Sequence, residues 1–358
     1  MEKWRYGRME RFIFQCFNLS MFQCLFYYVR MEGYLRGYYG YKNFGDELLF
    51  FGVIRQLFTK YPLTKLFVEV GNALRMEDRV RENYQEILTE KQLKSIKFIN
   101  AKQHKYKIIT HLMNILGRGK YKKVFKFFGW WEVLSDERTF PHDGRNIPLL
   151  FNYSVKKWQF VLLWGIGKIR TSRTEKLYTY LLPKAEKIIV RDRDSYTIAK
   201  EVDAKWKDQG QKTLDNNVVL YQDFAQEIIW SIKPKAQSWK TKYILININR
   251  QSVDTENIQK IIDFCAKYTD HKKIFFPCDM NDDAHCFSTI KKHISDLELY
   301  DWSKHSLVES LSLFFHTEGW IGARLHFLLP LKLYDKSIVA IPYADKINKL
   351  IISPKAKT

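Results

Sequence analysis

Cysteine is scarce in this chain: five among 358 residues, Cys16, Cys24, Cys265, Cys278 and Cys286, odd in number and scattered. That excludes a disulfide framework as the basis of stability and makes a reducing compartment the expectation. Cys278, His285 and Cys286 lie close to Asp279, Asp282 and Asp283. Their spacing matches no zinc pattern, so the stretch reads as a structural loop and no metal is expected. A clean hydrophobic run of membrane-spanning length is missing too. The nearest candidate, Phe12 to Val29, follows Lys3, Arg5, Arg8 and Arg11 but is interrupted by Gln15, Asn18, Ser20 and Gln23, with no small-residue cleavage site after it. A span needs about 20 predominantly apolar residues. Residues 1–33 therefore stand apart as an N-terminal extension, either an interfacial helix or a product of start-site choice with Met31 as the true start.

Acidic residues are absent from Lys91 to Trp131, which holds eleven Lys and Arg, over half of the net charge of +20. Tyr121, Val124, Phe125, Phe127, Phe128, Trp130 and Trp131 are interleaved with them. A net charge of this size implies an anionic partner, whether a phosphorylated substrate, an anionic lipid surface or nucleic acid. Basic residues beside clustered aromatics suit an anionic membrane surface, where each Lys or Arg contributes about 1 kcal/mol. Aromatics can also stack on bases, yet no nucleic-acid module accompanies them and none is expected as a partner. The third reading is a solvated insertion whose aromatics pack on the domain.

What is present is ample core material, 46% apolar and 16% aromatic, in a length that suits two domains. From Tyr34 to Tyr221 strand and helix patterns alternate: strands at Lys65–Val70, Phe160–Trp164, Lys187–Val190 and Val218–Tyr221, helices at Asp78–Leu88, Thr174–Leu182 and Asp192–Val202. A second series runs through Tyr243–Asn249 (strand), Glu256–Tyr268 (helix), Lys273–Phe276 (strand), Leu307–Phe315 (helix), Gly319–Ile321 (strand), Arg324–Tyr334 (helix) and Ile338–Ile341 (strand). The expected fold is α/β, with two Rossmann-like domains over residues 34–230 and 243–358 joined by a linker at 231–242 and facing a cleft. Ligands in such sheets sit outside the carboxyl ends of the strands.

Four stretches can carry chemistry. Gly37, Gly40 and Gly45 fall between a short apolar segment and a helical pattern marked by Leu48, Phe51, Ile54, Leu57 and Phe58. Such glycines allow a sharp turn and close approach to a ligand at a helix N-terminus, and Asp46 sits where an N-cap carboxylate would. Gly165 and Gly167 follow the strand ending at Trp164. Arg191-Asp192-Arg193-Asp194-Ser195 follows another strand, where Asp192 or Asp194 suits a helix start. Gly322-Ala323-Arg324-Leu325-His326 opens a helix directly after a strand, placing a guanidinium and an imidazole where an anion can be held and a proton moved.

In this order, with Asn43-Phe44-Gly45-Asp46-Glu47, Asp223 after a strand, and the terminal Ile341-Pro342-Tyr343 with Lys346, these stretches resemble the polysaccharide pyruvyl transferase family over residues 34–350. The resemblance implies a fold similar to the GT-B glycosyltransferases and transfer of pyruvate from phosphoenolpyruvate to two hydroxyls of a sugar as a cyclic ketal. Phosphoenolpyruvate is then a co-substrate, and no cofactor is implied. By the same resemblance Arg324 and His326 match donor-binding and acid positions, with Leu325 between them, and Arg191 is a second anion-binding arginine. Gly165 and Gly167 border the donor; Tyr39, Gly40, Asn43 and Gly45 face the acceptor cleft, with Asp46 or Glu47 as proton acceptor. The basic stretch 91–131 is unusual for the bare fold and points to a lipid-linked acceptor, such as an undecaprenyl-diphosphate repeat unit, at the cytoplasmic face of a bacterial membrane. The chain stops at Thr358, sooner after Lys346 than the returning helical crossover of GT-B proteins would suggest. The alternatives are a nucleotide-sugar glycosyltransferase on the same fold and a non-catalytic, membrane-associated polysaccharide-assembly protein.

Overall fold

A computed structural model of the protein describes residues 31–37, 39–100, 125–134, 160–166, 187–208, 218–232, 241–336, 339–342 and 347. The expected helix Thr174–Leu182, Gly167, most of the linker, Tyr343, Lys346 and the centre of the basic stretch lie outside those residues. Two parallel sheets organise what is described. The first half runs β1 (Met31–Arg36), α1 (Phe44–Lys60), β2 (Leu63–Val70), α2 (Ala73–Ile87), α3 (Glu90–Ser95), β3 (Ile96–Asn100), β4 (Phe125–Leu134), β5 (Phe160–Ile166), β6 (Lys187–Val190), α4 (Arg193–Asp208), β7 (Val218–Leu220) and α5 (Phe224–Ser231). The second half runs β8 (Tyr243–Asn247), α6 (Thr255–Ala266), β9 (Lys272–Phe275), α7 (Ala284–Lys291), β10 (Leu297–Leu299), α8 (Leu307–His316), β11 (Gly319–Gly322), α9 (Leu325–Leu333) and β12 (Val339–Ala340), with short 3-10 turns at Arg250–Ser252 and Trp302–Lys304.

The strand orders are β3-β2-β1-β4-β5-β6-β7 and β10-β9-β8-β11-β12. Every pairing within them is parallel. Parallel sheets need helical crossovers on their faces, which is why the alternating sequence pattern translates into two Rossmann-like units. In both sheets the order reverses beside the first strand, β1 and β8, so the carboxyl edges of these strands form the crevice where ligands bind in open α/β sheets.

The basic stretch proves to be misjudged as an insertion at both its ends. Glu90–Ser95 is a helix with a capping box, Thr89 and Gln92 each bonding the other's backbone. Residues 96–100 pair with β2 as β3, and residues 125–134 pair with β1 and β5 as the central strand β4. Phe127 is fully buried. A continuous rather than alternating run of aromatics is the sequence pattern expected of a central strand in a parallel sheet. Residues 101–124 of the stretch lie outside the described part. The first strand also begins at Met31, inside the stretch assigned to the extension, and α5 continues one residue into the expected linker.

Helix α1 is buried around most of its circumference, from Phe44 through Leu48, Leu49, Phe50, Phe51, Val53, Ile54 and Leu57, as expected of a helix enclosed by other elements rather than lying on a surface. It is flanked by α5 and α9 as well as by β4. Phe44 leaves the first unit and plugs an aromatic cluster of the second, its ring centroid 5.0 Å from Phe276, 5.5 Å from Trp302 and 5.9 Å from Phe314. Close approach depends on two glycines two turns apart. A Cβ on Gly45 would lie 2.0 Å from His326 Nδ1, and one on Gly52 would lie 2.1 Å from the Phe224 carbonyl oxygen.

Polar bonds close the same seam. The antiparallel bridge between Asn43 and Asp279 is formed by Phe44 N–H donating to the Cys278 carbonyl (2.7 Å) and Met280 N–H donating to the Lys42 carbonyl (3.0 Å). Leu307 N–H donates to Asn83 Oδ1 at 2.7 Å. Among the described residues no helix is long and apolar enough to cross a membrane.

Gly52→Ala forces a methyl into a backbone carbonyl with little room to yield. We expect it to cost about 2 kcal/mol or more, lowering the thermal midpoint by several degrees, whereas Leu74→Ser, at a residue 74% exposed, should change it by about 0.5 kcal/mol or less. Equal midpoints for the two variants would show that the α1–α5 contact is not tight.

Candidate functional site

The glycine-rich turn after β1 is shaped by its backbone. Gly40 (φ 78°) and Lys42 (φ 61°) adopt the left-handed region, which costs glycine nothing and a side chain something. The turn delivers Asn43, not Asp46, to the N-cap: its Oδ1 accepts the Asp46 N–H at 3.2 Å. The local signal was ambiguous because Asn and Asp cap equally well. Asp46 instead sits half-buried in the first turn, where its charge favours the helix dipole. Tyr39, expected in the acceptor cleft, is a core residue packed against Phe50 with centroids 5.1 Å apart. Burial, with Asp46 adding to it, pushes its hydroxyl far above the usual tyrosine range.

Glu47 also departs from expectation. It is 1% exposed, with Oε1 bonded to Arg75 Nη2 at 2.5 Å and Oε2 to Arg79 Nε at 3.0 Å. Both guanidinium groups lie over the Trp302 ring, and Arg79 also donates to the His305 carbonyl. A carboxylate saturated in this way cannot collect a hydroxyl proton. It is an ion-pair brace within the first half that holds both guanidinium groups against Trp302 and the His305 carbonyl of the second, and of the two candidate bases only Asp46 retains access.

His326 and Asp223 meet across the seam. Asp223 follows β7 and caps α5, accepting the Ala225 N–H at 2.9 Å. Its Oδ2 lies 3.7 Å from His326 Nε2, longer than a direct hydrogen bond. Burial raises the Asp223 pKa, but His326, then Arg191 and the Ala225 amide, outweigh it and hold the carboxyl below its ordinary range. Arg191 is thus close enough to be felt, while its Nε donates to Asp192 Oδ2 at 3.1 Å. Ser195 N–H donates to Asp192 Oδ1 at 2.7 Å, so Asp192 caps α4. His326 Nδ1 faces Gly45.

Arg324 is set by a different group of partners. Its backbone N–H donates to Asn247 Oδ1 at 3.0 Å, while Asn247 Nδ2 donates to the Phe276 carbonyl at 2.8 Å. Its Nε donates to both oxygens of Asp283 (3.0 and 3.1 Å) and its Nη2 to Asp283 and Asp282. Asp283 Oδ2 also accepts the Cys278 and Asp279 amides, each at 3.0 Å. Burial lifts the Asp283 pKa despite the opposing pull of Arg324. The loop expected to be merely structural therefore holds the guanidinium. Nothing local in the sequence announces a partner for Arg324 more than 40 residues upstream.

The structure thus brings Asn43, Gly45, Asp223, Arg191 and His326 to one edge, and Leu325 is partly buried against the adjoining core. Gly165 is the second-last residue of β5, at the same carboxyl edge. Asp223 and Asn247 carry more of the geometry than their sequence context indicates. Four helices, α1, α4, α5 and α9, begin at these strand ends, and each first turn presents partial positive charge.

Neither a family model nor a curated protein matches the sequence. Solved structures do resemble the fold. The UDP-GlcNAc 2-epimerase from Neisseria meningitidis bound to UDP-GlcNAc aligns with a TM-score of 0.55 at 11% identity, covering 89% of this chain and 85% of that one. Another UDP-N-acetylglucosamine 2-epimerase aligns with a TM-score of 0.50 at 10% identity, over 90% and 81% of the two chains. The fold is GT-B. At this identity the likeness extends to architecture alone.

Asp223 gives a pH dependence of definite sign. Its folded pKa is depressed, so its contribution to stability is complete above its ordinary value near 4 and is lost as pH falls through the folded value. Urea unfolding of wild type and Asp223→Asn should differ most near neutral pH and converge as pH falls through the depressed folded value; a difference independent of pH would remove the charge-based account. Glu47→Gln leaves the buried Arg79 and the partly buried Arg75 guanidinium short of charge and should cost about 3 to 5 kcal/mol, read in the same unfolding series.

Proposed function

We propose that this protein is a pyruvyltransferase that moves the pyruvyl group of phosphoenolpyruvate onto two hydroxyls of a sugar, forming a cyclic ketal in a surface or capsular polysaccharide or its lipid-linked repeat unit. The observation that carries this reading is the placement of His326: an imidazole at the start of α9, against the first turn of α1, facing Asp223. Motifs separated by almost the full chain, from Asn43 to His326, form one site. That convergence supports the reading drawn from the resemblance of their order to the pyruvyl transferase family.

The reaction suits these groups. Phosphoenolpyruvate carries a carboxylate and a phosphate, which guanidinium groups such as those of Arg191 and Arg324 bind with charge-assisted hydrogen bonds, and which helix N-termini favour. Protonation of its methylene carbon makes C2 electrophilic. A sugar hydroxyl adds there and gives up its proton, phosphate departs, and the second hydroxyl closes the ketal with loss of its own proton. His326 is positioned as the proton donor, with Asp223 facing its Nε2 across the seam. Asp46 is the candidate acceptor for a hydroxyl proton. No cofactor or metal enters these steps.

A second reading has a specific observation in its favour. The chain shares its fold across most of its length with an epimerase bound to UDP-GlcNAc, and a nucleotide-sugar enzyme would use the same crevice. Isothermal titration with phosphoenolpyruvate and with UDP-GlcNAc separates the two. Saturable phosphoenolpyruvate binding, with transfer lowered about 100-fold or more in His326→Ala at an unchanged thermal midpoint, supports the pyruvyl reading. UDP-GlcNAc binding alone overturns it.

The place of action we propose is the cytoplasmic face of the membrane, through the lysines of residues 101–124. Neutralising Lys120, Lys122 and Lys123 should abolish binding to vesicles containing anionic lipid while sparing activity on a soluble acceptor; unchanged vesicle binding would move the membrane contact elsewhere.

A further inference from the structure

We infer that Asp282 is an internal competitor for the Arg324 guanidinium, so that only a ligand bringing its own anionic oxygen can take that group. The inference rests on the reading of Arg324 as a contact to the donor's anionic groups. It follows from the unlike standing of the two carboxylates that Arg324 holds.

Asp283 has no exposure to water, bonds the guanidinium through both oxygens, and is itself fixed by two backbone amides. Removing it would leave Arg324 with the single Asp282 bond and free the loop at 278–279. Asp282 is 41% exposed and meets Arg324 through one bond, Nη2 to Oδ2 at 2.8 Å. Its backbone amide is held independently by Asp279 Oδ1 at 3.3 Å. The Asp282 side chain can therefore swing away without unmaking the turn. Arg324 is 23% exposed at its side chain, so solvent and solutes reach the pair.

An exposed ion pair of this kind is worth little and is readily exchanged. A carboxylate or phosphate oxygen of a ligand replaces like with like and restores a charge-assisted bond to Nη2. A neutral hydroxyl does not, because it would have to displace a carboxylate and offer a weaker bond. Asp283, Asp282 and nearby Asp279 also leave the surroundings of Arg324 negative on balance. A ligand anion gains most when Asp282 has moved out. Asp282 thus sets the specificity of this guanidinium for anions, and Asp283 keeps the guanidinium in place during the exchange.

The test titrates inorganic phosphate and phosphoenolpyruvate into wild type, Asp282→Asn, Arg324→Lys and the Asp282→Asn/Arg324→Lys double variant. With the competitor neutralised, both anions should bind about two- to fivefold tighter, the size expected of an exposed ion pair. The gain should vanish in the double variant, because lysine cannot serve Asp283 and a ligand together. Unchanged or weaker binding by Asp282→Asn, with binding lost in Arg324→Lys, overturns the competitor role and leaves the donor reading standing. Anion binding indifferent to Arg324→Lys overturns both. Absence of binding in every protein also overturns the inference, since clearing the competitor must expose the site. If Arg324→Lys does not fold, Arg324→Gln/Asp283→Asn removes both charges of the pair together and takes its place.

Discussion

A carboxylate shut away from water must have its lone pairs matched, or its charge is not tolerated. Asp283 meets that requirement with two amides of its own loop and the Arg324 guanidinium, and the seam is built outward from there. The amides belong to Cys278 and Asp279, and the same loop bonds the glycine-rich turn through Phe44, Lys42 and Asn43. That turn starts α1, and the first turn of α1 is pressed against His326 at Gly45. Arg324 and His326 lie two positions apart on one helix start, so both ends of this circuit return to the same backbone. One buried charge therefore couples the orientation of the imidazole to the contact between the two sheets.

The remaining contacts at the seam divide the work. Phe44 supplies apolar burial in a cluster of Phe276, Trp302 and Phe314, worth about 1.5 to 3 kcal/mol for a side chain of this size. Glu47 supplies direction indirectly, by fixing the Arg75 and Arg79 guanidinium groups against Trp302 and the His305 carbonyl of the second half. Hydrophobic burial would permit the halves to slide; the charged brace and the backbone bridge do not. The fixed seam leaves movement to groups such as Asp282 that are partly exposed and singly bonded.

How much of this was legible in the sequence depends on the range of the interaction. Alternation of strand and helix patterns identified both sheets, because a parallel sheet enforces crossovers and buried strands. The strand at Lys187–Val190 was placed at its observed limits. The aromatic residues around Phe127 were harder: a central strand covered on both faces has no alternation, and lysines beside it imitate a membrane-binding segment. Thr89 and Gln92 did carry a readable capping-box signal for α3. At the site, the positions of Arg191, Asp223, Arg324 and His326 after strands were informative because strand ends determine where side chains gather.

What the sequence withheld were partners distant in the chain. Asp46 and Glu47 look alike as neighbours in a helix start, yet one faces partly outward and the other is sealed by Arg75 and Arg79. Local spacing puts consecutive helix positions on different faces, but it does not say which face meets an arginine pair some 30 residues on. Asp282 and Asp283 repeat the lesson with the same residue type. One is a buried anchor and the other an exposed, exchangeable contact, although both touch Arg324. The chemistry of the seam is therefore decided by burial more than by residue identity. Of each adjacent carboxylate pair, the member that keeps contact with water is the one able to exchange a partner or a proton.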